Sequence, residues 1–428
     1  MTRRDYLEIE DRLHRLTSNY VLTQLKNEAD RNSLVEDREE LTLIIWQLLK
    51  KQNEILPQAI EKEVIQAVVN RIKGLGPIEP LLHNSDITEI MVNTPNEVFI
   101  EKQGKLERIQ INFRNDEHII NVIDRIVAPL GRRVDQSMPF VDARLPDGSR
   151  VNAIIPPLAL RSPALTIRRF STTPFTLTRL VKMETLNVQM AQFLQACVRT
   201  RINILISGGT GSGKTSTLNA LARCIPEGDR LVTIEDVAEL QLLAKNIVVL
   251  EARPPNLEGK GEITIRVLVR NALRMRPDRI IVGEVRGPEA FDMLQAMNTG
   301  HPGSLTTIHA NSPADALHRL ESMVLMADMD LPQPVIREQV ASSVNLILQQ
   351  ERLPGGKRKI VSIAEILTTN KKQEENITVL AKDIFKFSKE GLDGQGQMMG
   401  KFHTTGYIPR CLEIIKYCGI SLQDELGE

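Results

Sequence analysis

The feature that most constrains this chain is a glycine-rich loop that follows an apolar run. Residues 204–217 read Ile-Leu-Ile-Ser-Gly-Gly-Thr-Gly-Ser-Gly-Lys-Thr-Ser-Thr. Glycines let the backbone turn its N–H groups inward toward phosphate oxygens, where a larger side chain would crowd the anion. The apolar run predicts a buried strand and the residues after the loop predict a helix, which is the context that a phosphate-binding loop requires. The sequence therefore predicts a nucleotide-phosphate site.

The polar residues of this loop have distinct predicted roles. Lys214 supplies a point charge to the β and γ phosphates of a nucleotide, and Thr215 offers a hydroxyl to Mg²⁺. The helix that follows presents its positive N-terminal end to the same phosphates. The predicted nucleotide-binding residues are Gly208, Gly209, Thr210, Gly211, Ser212, Gly213, Lys214, Thr215 and Ser216.

Composition narrows the class of protein. The chain has 428 residues, of which 42% are hydrophobic, which is enough for two or three domains with their own cores. Basic and acidic residues balance at 54 each, so nucleic acid is not the default partner. The start of the chain has neither a signal-peptide core nor an apolar stretch of bilayer length, and we predict a cytoplasmic protein. Four scattered cysteines indicate neither a zinc module nor a disulfide framework.

Hydrophobic periodicity divides the chain into five predicted segments. Residues 1–73 carry apolar residues at three and four residue steps, which indicates helices. Residues 74–172 mix short strands, turns and one helix, as in a small α/β domain, and residues 173–185 form a linker that continues a Thr-rich stretch. Residues 186–366 alternate apolar strands with helices, which is typical of a parallel sheet. Residues 367–428 form a C-terminal extension.

Polar residues end several predicted strands of the segment 186–366. Glu235 and Asp236 end one strand, Glu284 ends another, and His309 ends a third. In open α/β sheets, ligands gather at the carboxyl ends of the strands. We therefore expect these four side chains to converge around the phosphates that Lys214 holds.

Phosphoryl transfer to water assigns roles to these side chains. The reaction needs a metal-held phosphate chain, a group that orients or deprotonates the attacking water, and positive charge for the transition state. Glu235 and Glu284 are the two candidates for the group that orients or deprotonates the attacking water. Glu284 could instead hold the hydration shell of Mg²⁺, and the sequence alone does not decide between these roles. Asp236 and Glu284 could join Thr215 in holding Mg²⁺ directly or through water. His309 could sense the γ-phosphate through a ring N–H.

Arginines could supply the remaining positive charge. A domain that precedes a nucleotide core can place an arginine over the phosphates, which would couple domain closure to hydrolysis. Arg144 and Arg168 lie on predicted strands, which hold side chains more rigidly than loops do, and we predict that they are catalytic. The other candidates are Arg150, Arg169, Arg270, Arg274, Arg276 and Arg286.

Over roughly residues 74–366 the chain resembles the secretion and pilus traffic ATPases, and within them the CpaF-like ATPases of tight-adherence (Flp) pilus systems. The resemblance covers several separate motifs. They are Gly-Leu-Gly-Pro-Ile-Glu-Pro-Leu-Leu at 74–82, the segment 142–157, the phosphate loop, Thr-Ile-Glu-Asp at 233–236, and the segments 271–286 and 297–313.

The resemblance implies a homo-hexameric ATPase with a RecA-like core and a PAS-like N-terminal domain, which hydrolyses ATP with Mg²⁺. It also implies work at the inner face of the inner membrane, with peripheral membrane association through platform proteins of a pilus or secretion system and no nucleic acid. The family's acidic box, Walker B glutamate, histidine box and N-terminal arginines match Glu235 and Asp236, Glu284, His309, and Arg144 and Arg168, respectively.

Other branches and other classes of protein remain as alternatives. The chain has no four-cysteine zinc module, which the type II secretion and type IVa pilus assembly branches usually carry, and it lacks the Ala-Ile-Arg-Asn-Leu-Ile-Arg-Glu motif of the retraction ATPases. The alternative functions are a RecA-like motor on DNA, a conjugation or type IV secretion ATPase, and a nucleotide-gated scaffold with little turnover. The sequence leaves open the substrate and the direction of work.

Overall fold

The chain divides into two compact units, residues 1–172 and 173–428. The computed structural model describes residues 3–24, 38–52, 56–102, 104–170, 175–242, 244–253, 255, 260–327, 329, 331–369 and 378–422. Residues 171–174 of the Thr-rich stretch, and parts of the predicted N-terminal and C-terminal segments, lie outside these ranges. The remainder of the predicted linker contains a short helix, Leu177–Lys182.

In the described part of residues 1–73, the first unit has three helices, as the periodicity of this segment predicts. They are α1 (Arg3–Gln24), α2 (Arg38–Lys51) and α3 (Gln58–Ile72). Their apolar residues at three and four residue steps form one buried cluster, which includes Leu13, Leu41, Ile45, Leu49, Val64 and Val68. Packing of these stripes against each other, rather than helix propensity alone, therefore stabilises the three helices.

In its described residues, the remainder of the first unit is a six-stranded antiparallel sheet with two α-helices. The strands are β1 (Ile87–Thr94), β2 (Glu97–Lys102), β3 (Lys105–Ile109), β4 (Phe140–Arg144), β5 (Arg150–Ile154) and β6 (Ala164–Arg168), in the order β3-β2-β1-β6-β5-β4. The helices are α4 (Glu79–Leu82) and α5 (Asp116–Val127). Helix α5 begins after Asn115, whose side chain accepts a hydrogen bond from the His118 N–H. Its buried isoleucines share one core with the sheet, which matches the predicted PAS-like α/β domain.

The second unit contains a nine-stranded sheet in the order β15-β14-β13-β12-β7-β11-β10-β8-β9. Its strands are β7 (Ile204–Gly208), β8 (Leu231–Glu235), β9 (Ile247–Glu251), β10 (Arg279–Val285), β11 (Leu305–Ile308), β12 (Leu346–Arg352), β13 (Arg358–Thr369), β14 (Thr378–Leu392) and β15 (Met398–Thr404). Its helices are α6 (Leu177–Lys182), α7 (Val188–Arg199), α8 (Lys214–Ala222), α9 (Ile265–Ala272), α10 (Glu289–Asn298), α11 (Pro313–Leu325), α12 (Gln333–Ser343) and α13 (Cys411–Tyr417).

The sheet of the second unit has a parallel half and an antiparallel half. Strands β12, β7, β11, β10, β8 and β9 pair in parallel, and all five residues of β7 and of β8 are buried. Such continuous burial is typical of a parallel sheet that is covered on both faces. The fold class is therefore the predicted one, an α/β protein with a RecA-like core. Strands β13 to β15 continue the same sheet in antiparallel pairing, so residues beyond the predicted boundary at 366 belong to this sheet.

The helices of the described residues share one further property. Each is too short or too polar to span a bilayer.

Candidate nucleotide site

The glycine-rich loop lies between β7 and α8, and β7 is the central strand of the nine-stranded sheet. Strand β7 pairs with β11 on one side and with β12 on the other. Gly211 and Gly213 have φ angles of +70° and +98°, in the left-handed region that favours glycine. Gly213 is also the residue that caps the N-terminus of α8. The loop therefore curves around the positive end of a helix, as an anion-binding loop does.

Lys214 and Ser212 show that the inside of this loop suits phosphate. The buried Lys214 donates from Nζ to Gly208 O at 3.0 Å and to Gly209 O at 3.1 Å, so its ammonium group lies within the loop. The Ser212 hydroxyl is buried and makes no hydrogen bond to another described residue. A methyl group added at Gly209 would meet no atom within 4 Å, so this side of the loop is open. The loop therefore offers a buried ammonium group and a buried hydroxyl group to an anion.

The predicted acidic and histidine residues meet at the carboxyl ends of β8, β10 and β11. Glu284 Oε1 lies 2.8 Å from His309 Nε2, and Glu284 Oε2 lies 2.8 Å from Arg286 Nη2. Arg286 Nη1 lies 3.4 Å from Asp236 Oδ2, and His309 Nδ1 lies 3.3 Å from Lys214 Nζ. These contacts form one chain of charged and polar groups from the phosphate loop to the end of β8.

Burial and neighbouring charge set the protonation of this chain of groups. Burial lowers the pKa of His309, and the nearby Lys214 ammonium lowers it further, while Glu284 opposes both effects. The imidazole is therefore neutral near pH 7 and has one ring N–H to donate. The hydrogen bond to Glu284 raises the pKa of Arg286, so this guanidinium keeps its charge.

Glu235 lies close to these groups, but the structure shows another use for its carboxylate. Its Oε1 accepts a hydrogen bond from Glu239 N at 3.0 Å, and its Oε2 accepts one from Leu240 N at 3.2 Å. The side chain is buried beside Gly283, where an added methyl group would lie 2.8 Å from Glu235 Cγ. Glu235 thus fixes the segment that follows β8, and the glycine at 283 makes room for it.

The predicted arginines of the first unit lie in one row across its sheet. Arg144 of β4 is opposite Arg150 of β5, and Arg150 is opposite Arg168 of β6. Residues directly opposite in antiparallel strands share a face of the sheet. Arg168 Nε also lies 3.7 Å from Glu89 Oε1 of β1. The row therefore presents three guanidinium groups on one face of the sheet.

Arg150 and Arg286 were candidates in the sequence without an assigned role. Arg150 stands at the same distance from its hairpin turn as Arg144, so the pairing of these two could have been foreseen from the predicted turn at 146–148. Arg286 follows Glu284 by two residues at the end of a strand, which is a spacing that places both side chains on one face.

Comparison with known proteins gives a family match and a set of relatives. The family model described as "Type II/IV secretion system protein" matches residues 71–378. A putative conjugal transfer protein of Mycobacterium tuberculosis is 35% identical over 306 residues, which cover 70% of this chain and 86% of that protein. The type IV secretion system protein PtlH of Bordetella pertussis is 33% identical to this chain. The match covers 68% of this chain and 93% of PtlH.

Among solved structures, the VirB11 ATPase from the Brucella suis type IV secretion system is similar to this chain. The two are 31% identical, and the match covers 67% of this chain and 94% of that chain, with a TM-score of 0.37.

Proposed function

The chain belongs to the family of type II/IV secretion system proteins and is an ATPase, and from this premise we propose that it is a homo-hexameric motor for pilus assembly or secretion. The observation that carries the proposal is the contact chain from Lys214 through His309 to Glu284 and Arg286. These contacts support hydrolysis, because they join a phosphate-binding lysine to a carboxylate at the end of a strand.

We assign the catalytic carboxylate to Glu284 rather than to Glu235. Each oxygen of Glu235 accepts a hydrogen bond from a backbone N–H group. Arg286 donates a hydrogen bond to Glu284 Oε2, whereas Glu284 Oε1 faces His309 at 2.8 Å and accepts no hydrogen bond from a described residue. A carboxylate held in this way can orient the attacking water and accept its proton. The neutral His309 has one ring N–H, and donating it to a γ-phosphate oxygen would release the contact with Glu284, while the hydrogen bond from Arg286 keeps the carboxylate in place.

Mg²⁺ fits the donors of this site. The Thr215 hydroxyl, at the second residue of α8, would hold the ion together with phosphate oxygens, and Asp236 and Glu284 would bind its water ligands. Oxygen donors with several water molecules are what Mg²⁺ prefers. When bound, the ion neutralises negative charge on the phosphate chain.

The row of Arg144, Arg150 and Arg168 is proposed to supply positive charge to the phosphates of ATP. The three guanidinium groups stand at paired positions of neighbouring strands, so they share one face of the sheet. Because arginine binds phosphate through a planar pair of N–H groups, the row is better suited to phosphate than a lysine row would be.

The machine that this ATPase serves is proposed to be a tight-adherence (Flp) pilus, driven through platform proteins of the inner membrane. The motifs at 142–157 and 271–286 and the absence of a four-cysteine zinc module in the sequence support this assignment. A second candidate is a conjugation or type IV secretion system, which the names of the Mycobacterium and Bordetella relatives favour. The two candidates share the ATPase cycle and differ in the partner.

Replacement of Glu284 by Gln tests the catalytic assignment. We expect kcat for ATP to fall by about 10²- to 10⁴-fold, because Gln cannot accept the proton, while ATP still binds. Glu251→Gln is the matched control, because it removes a carboxylate at the end of β9 in the same sheet. Steady-state hydrolysis and binding of a fluorescent ATP analogue are measured. Normal turnover in Glu284→Gln together with lost turnover in Glu235→Gln would overturn the assignment.

The same alleles distinguish the two machines in the source organism. With Glu284→Gln on the chromosome, we expect pilin to disappear from sheared surface fractions while DNA transfer and secreted protein stay at the level of the Glu251→Gln strain. Loss of DNA transfer or of secreted protein with pili intact would instead assign the chain to a type IV secretion system.

A further inference from the structure

The hairpin formed by β12 and β13 borders the phosphate loop on the side away from β11. Strand β12 pairs with β7 as far as Gln350, opposite Gly208, and then continues past the end of β7. Its turn is closed by a hydrogen bond that Leu353 N donates to Lys357 O at 2.8 Å. The side chains near this turn therefore lie beside the loop, and the predicted site included none of them.

Arg358 contacts the loop directly. Its Nε donates a hydrogen bond to Gly211 O at 2.9 Å. Its Cδ lies 3.1 Å from the point where a methyl group at Gly213 would stand, so its aliphatic stem packs against the loop backbone. Arg358 thus touches both of the loop glycines that have a positive φ angle.

Geometry of the peptide unit gives this hydrogen bond a consequence for nucleotide binding. In a trans peptide, a carbonyl and the next N–H point in opposite directions. With Gly211 O bonded to Arg358, the Ser212 N–H points away from Arg358 and donates a hydrogen bond to Gly209 O at 3.3 Å, which closes the turn of the loop. The shape of this turn decides where the other N–H groups of the loop point, and those groups are the donors that such a loop offers to phosphate.

Two further residues of the hairpin border the same loop. Arg352 lies directly opposite Arg358 across the two strands, and its Nη1 is 3.7 Å from the point where a methyl group at Gly211 would stand. Gln350 Oε1 accepts a hydrogen bond from Thr217 Oγ1 of α8 at 2.8 Å.

The hairpin itself is fastened to the segment between α6 and α7. Lys359 donates from Nζ to Glu184 O at 2.6 Å, and Lys357 Nζ lies 3.0 Å from Glu184 Oε2. Ile360 N donates to Thr185 O at 2.8 Å. Arg358 therefore acts on the phosphate loop from an anchored support.

We propose that Arg358 is a positioning residue for nucleotide binding, which acts through its hydrogen bond to Gly211 O and keeps the N–H groups of the phosphate loop directed inward. The proposal rests on the ATPase activity of the chain and is independent of the machine that the chain serves. It deepens the proposed site by adding a residue of the β12–β13 hairpin, which is in the same unit as the loop.

Three substitutions at this position separate the hydrogen bond from the charge. Gln places its amide nitrogen at the position of arginine Nε and carries no charge, Lys keeps the charge, and Met keeps only the stem. We expect Arg358→Met to raise the Kd for ADP and for a non-hydrolysable ATP analogue about tenfold. KM for ATP should rise in parallel while kcat stays within about twofold, since the effect lies in binding. Arg358→Gln should restore most of the affinity.

Fluorescent nucleotide titration of the purified full chain gives the result. Lys389→Met is the matched control, because Lys389 of β14 pairs with Glu351 in the same sheet and does not contact the loop. Thermal unfolding shows whether each variant is folded. If Arg358→Met does not fold, the nucleotide affinities of Arg358→Gln and Arg358→Lys are compared instead. Affinity within twofold of wild type in Arg358→Met, or restoration by Lys but not by Gln, would overturn the proposal. A failed pilus assignment would leave these affinities unchanged.

Discussion

A buried ion pair at the start of β10 shows that residues of one motif, the segment 271–286, have different functions. Glu284, near the carboxyl end of this strand, contacts His309 and Arg286, whereas Arg279, at the other end, is fully buried. Arg279 Nε donates to Asp229 Oδ2 at 2.7 Å, and Asp229 Oδ1 also lies 2.7 Å from Arg201 Nη2. The pair holds the amino end of the parallel sheet, so a charged residue in a functional motif can be structural.

At this scale we predict the effect of Asp229→Asn on stability. The substitution leaves the buried Arg279 without its counter-charge, which costs about 3–5 kcal/mol in comparable buried pairs. The urea midpoint of the second unit, followed by circular dichroism, should fall accordingly. Glu227→Gln, which removes an exposed partner of Lys245, should leave the midpoint unchanged. Equal midpoints for Asp229→Asn and wild type would show that Arg279 does not need this carboxylate.

At the scale of elements, two histidines lie among the helices of the first unit. Burial first, and the positive charge of Arg71 in α3 second, lower the pKa of His14 in α1 and of His118 in α5 to about 4. His118 Nδ1 lies 3.4 Å from Arg114 N, which requires that this ring nitrogen accept a hydrogen bond. Both rings are therefore neutral where the helices pack.

The first unit should consequently lose stability in acid. An unfolded histidine binds its proton at a pKa of about 6.5. The folded pKa of His118 is about 4, so the unfolded state binds more protons between these values, and stability decreases as the pH falls from about 6.5 to about 4. Trp46 of α2 is the only tryptophan of the chain, so its fluorescence in urea reports this unit.

His118→Gln and His83→Gln provide the comparison for this pH dependence. Gln at 118 keeps a hydrogen-bond acceptor without a titrating group, so its midpoint should vary less with pH than that of wild type. His83 is exposed, with a side-chain exposure of 70%, and its replacement should leave the pH dependence as it is. An unchanged slope in His118→Gln would contradict the assignment of the acid sensitivity to this residue.

At the scale of the whole molecule, the C-terminal strands complete the core of the second unit. Ile363 of β13, Phe385 of β14 and Cys411 of α13 belong to the same buried cluster as the strand that carries the phosphate loop. The buried Glu365 accepts hydrogen bonds from Tyr407 Oη at 2.7 Å and from Cys411 N at 3.1 Å. The extension that the sequence sets apart at 367 is thus packed into the nucleotide unit.

A chain that ends at Thr369 should therefore fail to fold stably. Without β14, strand β13 has no partner on one side and becomes a long exposed edge, and the apolar residues that β14 covers are exposed. Both changes promote aggregation. A chain that ends at residue 422 keeps every described element and is the control. Soluble yield and size-exclusion profiles are compared. A soluble, ATP-binding chain that ends at Thr369 would show that β14, β15 and α13 are dispensable for the core.

Local patterns determined the parts of this protein that depend on residues close in sequence. The phosphate loop with Lys214, the alternation of strands and helices, and the polar residues at strand ends follow from glycine geometry and from periodicity, both of which act within a few residues. The sequence predicts the position of Glu284 near the end of a strand for the same reason.

Tertiary structure decided what depends on pairing between distant segments. In the folded chain, two backbone N–H groups donate hydrogen bonds to the Glu235 carboxylate, whereas the Glu284 carboxylate contacts His309 and Arg286. The tertiary structure also brought Arg358 to Gly211, 147 residues away, and joined β14 and β15 to the sheet. The register of strands far apart in sequence is set by the packing of the whole sheet, and no local pattern contains it.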